Sequence, residues 1–151
     1  MKTFILIVLL TFSVFARDKN YGSVIVDEII SVFDCDTFRC NIRSLPPIIG
    51  ENISIRVNSI DGPEIRGKTQ AEKDLAIEAR DFVRNLFANA KEIKLTNIQR
   101  PKYFRLLANT YIDGVNLADL LIEKGYAYPY DGKAKKNWNK ILTERNNEKN
   151  R

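Results

Sequence analysis

A chain of 151 residues has room for one domain with a buried core and little room for two. Its formal charge of +5 favours polyanionic partners without selecting one. Histidine is absent, which removes the usual general base, the serine–histidine and cysteine–histidine nucleophiles and the commonest zinc ligand. Any chemistry therefore rests on carboxylates, arginines, lysines and tyrosines.

Residues 1–16 read as an export leader. Lys2 gives a positive start, Phe4 to Leu10 is unbroken apolar, and Val14-Phe15-Ala16 fits a small-residue cleavage site, so the mature chain is expected to begin at Arg17. The apolar stretch is nearer ~13 residues than the ~20 of a membrane-spanning helix. Ser23 to Phe33, rich in Val and Ile, is a predicted strand that turns at Asp34-Cys35-Asp36 into a second strand over Thr37 to Ile42. Pro46-Pro47 and Gly50 mark a loop. Ile53 to Ile60 then alternates as a half-buried strand, with Arg56 on the face opposite Ile55 and Val57.

Thr69 and Glu72 form a capping box that opens a helix with an apolar stripe of Leu75, Ala79, Phe82, Val83, Leu86 and Phe87. Strands are predicted over Ile93 to Ile98 and Phe104 to Ile112, followed by an Asp113-Gly114 turn. Asn116 caps a short helix with Leu117, Leu120 and Leu121, closed by Gly125. After an aromatic segment, Tyr126 to Tyr130, a last helix over Lys133 to Lys149 surrounds Trp138 and Leu142, and its polar basic tail from about 143 reads as a solvated face. Five strands with a long helix after the third describe an α+β chain, a five-stranded OB-fold-like β-barrel with about three helices. Such barrels bind many things, so the fold alone assigns no function.

The two cysteines, Cys35 and Cys40, leave two states open. A straight strand would hold their Cα atoms ~16 Å apart, far beyond the ~7 Å limit for a bridge. A tight turn through Asp36-Thr37 would permit one, so a disulfide and free thiols are both compatible with the sequence.

Asp36, Asp61 and Glu64 stand at predicted strand ends, where oxygen ligands can converge on a hard cation. The run from Ile55 to Glu64 places an arginine on a strand, an aspartate at its end and a glutamate beyond a Gly-Pro turn. A phosphodiester gives such a mixture a purpose: a metal neutralises one oxygen, guanidinium groups grip others, and a carboxylate orients or deprotonates water. Asp34-Cys35-Asp36-Thr37, then Arg56 with Asp61-Gly62-Pro63-Glu64, then Lys102-Tyr103-Phe104-Arg105 together resemble the three active-site segments of the staphylococcal nuclease family, in order and spacing. The resemblance covers roughly Ser23 to Asn139.

The resemblance implies a calcium-dependent phosphodiesterase that cuts DNA and RNA and leaves 3′-phosphate ends; together with the leader, the expectation is an exported monomer in the periplasm or outside the cell, with no stable membrane association once the leader is removed. The resemblance also implies Ca2+ held by Asp36, Asp61 and the main-chain carbonyl of Gly62, with Glu64 acting on the attacking water. Arg56 and Arg105 would clamp the scissile phosphate, and Lys102, Tyr103 and Tyr130 would contact the substrate. A cleft with aromatic edges would favour single strands. Four positions depart from the family pattern: Cys35 stands where it has glycine, Gly62 where it has threonine, Phe104 where glycine is common and Pro101 where aspartate is. The rival expectations are a non-catalytic OB-fold module binding single strands or a protein, and an exported protein whose charges form only an ion-pair network.

Overall fold

The computed structural model describes residues 19–101 and 104–149. The expected leader, residues 1–16, and the expected substrate contacts Lys102 and Tyr103 lie outside the described residues. The strands are β1 (Val24–Ile25), β2 (Glu28–Asp34), β3 (Thr37–Asn41), β4 (Ile53–Val57), β5 (Ile60–Asp61), β6 (Ile93–Gln99), β7 (Arg105–Ile112), β8 (Val115–Asn116) and β9 (Tyr128–Pro129). The helices are α1 (Pro47–Gly50), α2 (Gln70–Asn89), α3 (Leu117–Glu123) and α4 (Trp138–Lys149). None of the described helices is long and apolar enough to cross a membrane.

The main sheet runs β1-β6-β7-β4-β3-β2, with β8 beside β7. Its neighbours are antiparallel except for the parallel pair β4 and β7. The two ends of this path are successive pieces of the single strand expected over Ser23 to Phe33. Val26 N–H bonds to the Ile93 carbonyl at 2.9 Å and the next residue, Asp27, bonds through its N–H to the Asn41 carbonyl at 2.9 Å. Adjacent residues thus face opposite ends of the sheet, which curls into the expected α+β, OB-fold-like arrangement.

The expected strand over Ile53 to Ile60 is broken. Pairing in the main sheet ends at Val57, and Ser59 adopts φ +66 before β5 begins. That left-handed residue turns the chain sharply and sends Asp61 back toward Arg56 instead of onward along the sheet. The fourth helix, α1, is a single turn where a loop was expected, with Pro47 supplying the fixed φ suited to a helix start.

Helix α2 opens as the capping box requires on one side, with the Thr69 hydroxyl accepting from Glu72 N–H at 3.3 Å. The reciprocal bond goes one residue further out, from Lys68 N–H to the Glu72 carboxylate at 3.3 Å. The helix buries Ala76, Ala79, Val83 and Phe87, while Leu75, Phe82 and Leu86 form the half-buried flanks of that stripe. The Phe87 ring meets Phe38 edge-on at 4.9 Å, capping a core of Ile55, Val57, Leu95, Leu117 and Leu121. Each such side chain contributes about 1.5–3 kcal/mol by leaving water. This apolar interior is the rigid floor on which the polar residues of β3, β4 and β7 stand.

Cys35 and Cys40 are free thiols, both buried. Cys35 sits in the β2–β3 turn, whereas Cys40 lies along β3 opposite Ile29 and Ile53. The strand between them keeps them apart.

Candidate active site

Two turns build the inner part of the site. Between β2 and β3, Asp34 pairs with Thr37 and leaves Cys35-Asp36 as the turn; between β4 and β5, Asn58-Ser59 returns Asp61. Asp36 and Asp61 are only 3% and 2% exposed, a burial that two carboxylates tolerate only when compensated. Arg56, whose predicted orientation away from Ile55 and Val57 is observed, is the compensator. Its Nη1 donates to Asp36 Oδ1 at 3.1 Å and its Nη2 to Asp61 Oδ1 at 2.6 Å.

With further donors, both oxygens of each carboxylate are met. Thr37 Oγ1 donates to Asp36 Oδ1 at 2.8 Å and Gly62 N–H to Asp36 Oδ2 at 2.9 Å. Tyr128 Oη donates to Asp61 Oδ2 at 2.8 Å. Ile65 N–H reaches Asp34 Oδ1 at 3.2 Å, so the segment after Asp61 is latched onto the first turn at two points. Burial, followed by the nearby charges of Asp36 and Glu64, holds the Asp34 carboxyl above its ordinary range despite the Ile65 bond.

The outer part opens into a cleft of about 910 Å³ whose walls include Arg56, Glu64, Arg105, Tyr130 and Lys135. Parallel pairing sets Ser54 against Arg105 and Arg56 against Leu107. Arg56 and Arg105 therefore project from the same face one two-residue step apart, about 7 Å along the strands. Arg105 is exposed and has no ion pair among the described residues. Glu64 is half exposed and accepts from Lys135 Nζ at 2.7 Å; the same ammonium lies 3.1 Å from Asp61 Oδ1. Tyr130 is anchored by its N–H to the Ser59 carbonyl at 2.9 Å, and its hydroxyl contacts the Lys133 carbonyl at 3.4 Å.

The structure therefore brings Asp36, Arg56, Asp61, Gly62, Glu64, Arg105 and Tyr130 into one corner. Two further residues in it were not among the sequence candidates. Tyr128 was read only as part of the aromatic segment Tyr126 to Tyr130, but β5 pairs with β9 so that Asp61 and Tyr128 are directly opposite. Burial, then the bond to Asp61, pushes the Tyr128 hydroxyl up to about 12. Lys135 belongs to the stretch expected to open the last helix at Lys133, but α4 begins only at Trp138 and leaves Lys135 in the connecting segment. Burial pulls it down, but its bonds to Glu64 and Asp61 outweigh that and leave it above its ordinary value. Neither contact has a local signature, because the partners lie 67 and 71 residues away in sequence.

Two of the departures from the family pattern are one structural change. Cys35 is not among the described non-glycine residues with positive φ, so a side chain there carries no backbone strain. A Cβ built on Gly62 would overlap the Cys35 sulfur. The sulfur, which also faces the Tyr126 carbonyl at 3.6 Å, fills the volume a larger residue 62 would need. Burial, and then the charges of Asp36 and Asp34, hold that thiol well above its ordinary range, so it stays protonated. Phe104 is 72% exposed beneath the Arg100 guanidinium at 5.1 Å, and β7 starts one residue after it instead of at it.

Among the described residues, no three histidine, cysteine or acidic side chains converge as a ready cage for a metal. What the corner offers is a set of hard oxygens, the Asp36 and Asp61 carboxylates beside the Gly62 main chain. Four acids, Asp34, Asp36, Asp61 and Glu64, stand against three cations, Arg56, Lys135 and the more exposed Arg105. The excess negative charge and the oxygen donors fit a hard divalent ion such as calcium in kind.

A search of curated proteins found no match. The family model described as staphylococcal nuclease homologue matches residues 54–150. That span holds Arg56, Asp61 to Glu64, Arg105, Tyr128 and Lys135, and the fold adds the Asp34–Thr37 turn from outside it. With the match covering well over half of the chain, the protein belongs to the staphylococcal nuclease family.

Proposed function

We propose that this protein is an exported, calcium-dependent phosphodiesterase that hydrolyses DNA and RNA, with single strands preferred and 3′-phosphate ends as product. The observation that carries the reading is the two-tier corner: Arg56 bridges two buried carboxylates while Glu64 and Arg105 open into the same cleft. Asp36, Asp61 and the Gly62 carbonyl would hold calcium, which when bound supplies Lewis-acid polarisation of a phosphate oxygen. The protein's own residues do the rest. Arg56, held by Asp36 and Asp61, is preorganised to meet a second phosphate oxygen. Arg105, exposed and one step along the same face, grips a third, and two guanidinium forks stabilise charge that grows at the phosphorus. Glu64 orients or deprotonates the water that attacks in line.

Lys102 and Tyr103 are assigned to a neighbouring phosphate and Tyr130 to the nucleotide at the rim. The protein acts as a monomer after residues 1–16 are removed, in the periplasm or outside the cell. The test is hydrolysis of single-stranded DNA by protein beginning at Arg17, in millimolar calcium and then in chelator, with Asp36→Ala alongside. Calcium-dependent cleavage that yields 3′-phosphate ends and disappears in the variant is expected. Binding without cleavage under any divalent ion would replace this reading with a non-catalytic OB-fold module.

A further inference from the structure

We infer that Lys135 is a built-in competitor for the calcium centre: its ammonium neutralises Asp61 and Glu64 until a divalent ion displaces it. The inference rests on the calcium reading above and adds to it a residue that sets metal affinity and keeps the water-activating carboxylate occupied in the metal-free protein.

The geometry supporting it is specific. Lys135 Nζ lies 2.7 Å from Glu64 Oε1 and 3.1 Å from Asp61 Oδ1. Asp61 is the assigned metal ligand and Glu64 the assigned partner of water, so one ammonium spans both. The other protein donors to this corner are built in. Arg56 is fixed on β4, and Tyr128 and Gly62 donate from the paired β5 and β9 segments or their ends. Lys135 differs, because residues 130–137 hold neither helix nor strand and its side chain is about half exposed. The main chain just after it is tied down, with Lys136 N–H bonded to Tyr128 Oη at 2.8 Å. Only the flexible four-carbon stem needs to swing for the ammonium to leave.

Electrostatics explains why it is there. Without a metal and without Lys135, Asp36, Asp61 and Glu64 would face one another with Arg56 as the one cation paired to any of them among the described residues, and the like charges would repel. Lys135 relieves that repulsion. A divalent ion carries twice its charge in the same neighbourhood, and both cations cannot use the same Asp61 oxygen at full strength. Calcium arrival therefore releases the ammonium into the cleft and frees Glu64 for water. An engaged arrangement holding nine-tenths of the molecules would lower apparent calcium affinity about tenfold.

The test is a calorimetric calcium titration without nucleic acid, on protein beginning at Arg17 and on Lys135→Met, Lys135→Gln and Lys135→Arg, each checked for native near-ultraviolet dichroism. Lys135→Met keeps the apolar stem and is expected to bind calcium about tenfold tighter, Lys135→Gln to move in the same direction, and Lys135→Arg to stay near the parent. Calcium binding by the neutral variants with none by the parent would be the strongest support. Equal or weaker binding by both neutral variants, with the parent still binding, overturns the competitor role and leaves the calcium reading in place. If no form binds calcium, the calcium reading and this inference fall together.

Discussion

The inner and outer parts of the site are held in different ways. Asp36 and Asp61 are buried and interlocked with the partly buried Arg56, and the oxygens of each carboxylate are met by donors from two or more elements. Glu64 and Arg105 are exposed and free of such a lattice; Glu64 has a lysine on a mobile stem as its partner, and Arg105 stands alone among the described residues. The difference separates two kinds of work. Inner residues must hold charge in a poorly solvated place, so they are structural as well as chemical. Outer residues must exchange partners during turnover, so their loss should alter chemistry while sparing the fold.

Glu64→Gln tests the outer tier most sharply. Turnover should fall about 10²- to 10⁴-fold, with the thermal midpoint close to that of the parent. Intact hydrolysis in calcium would remove Glu64 from the mechanism. In the inner tier, Arg56→Met should lower stability in chelator by about 3–5 kcal/mol, because two buried carboxylates lose their common partner. Urea unfolding measures this, and added calcium should restore part of the loss. Arg56→Lys should lower kcat far more than it raises KM; equal changes would deny Arg56 a role specific to the transition state.

A smaller effect probes the packing behind the inner tier. Gly62→Thr should destabilise by about 1–3 kcal/mol through collision with the Cys35 sulfur, and the double variant with Cys35→Gly should recover most of it. Additive losses in that cycle would show that the two positions are independent.

The smallest effect is alkaline. Tyr128 is raised to about 12 by burial and its bond to Asp61, and Tyr126 to about 12 by its bond to Glu78 and then burial. Both native hydroxyls hold their protons where the unfolded ones, near 10, release them. Their contribution to stability is thus complete below pH 10 and lost as pH rises through about 12. Unfolding midpoints measured across that window should fall less steeply for Tyr126→Phe combined with Tyr128→Phe.

Local chemistry made much of the architecture legible. Alternating Ile53, Ile55 and Val57 marked a half-buried strand and correctly turned Arg56 to its polar side. Thr69, Asn116, Asp113-Gly114 and Gly125 announced their caps and turns because each acts on backbone groups within a few residues. The break at Ser59 was only partly legible: Ser59 falls where the alternation requires an apolar residue and Ile60 is out of phase, but the left-handed turn there depends on tertiary pairing with β9.

The sequence by itself determined the α+β barrel plan, the kinds of side chain available for chemistry and the order of the segments that carry them. Periodicity, capping and spacing are local rules, and local rules reach only a few residues. The tertiary structure decided that both thiols stay free, that Cys35 and Gly62 share one volume, and that Tyr128 and Lys135 enter the acidic corner. These depend on which distant surfaces the curled sheet brings within a few ångströms, where burial makes charge and volume costly to leave unmatched.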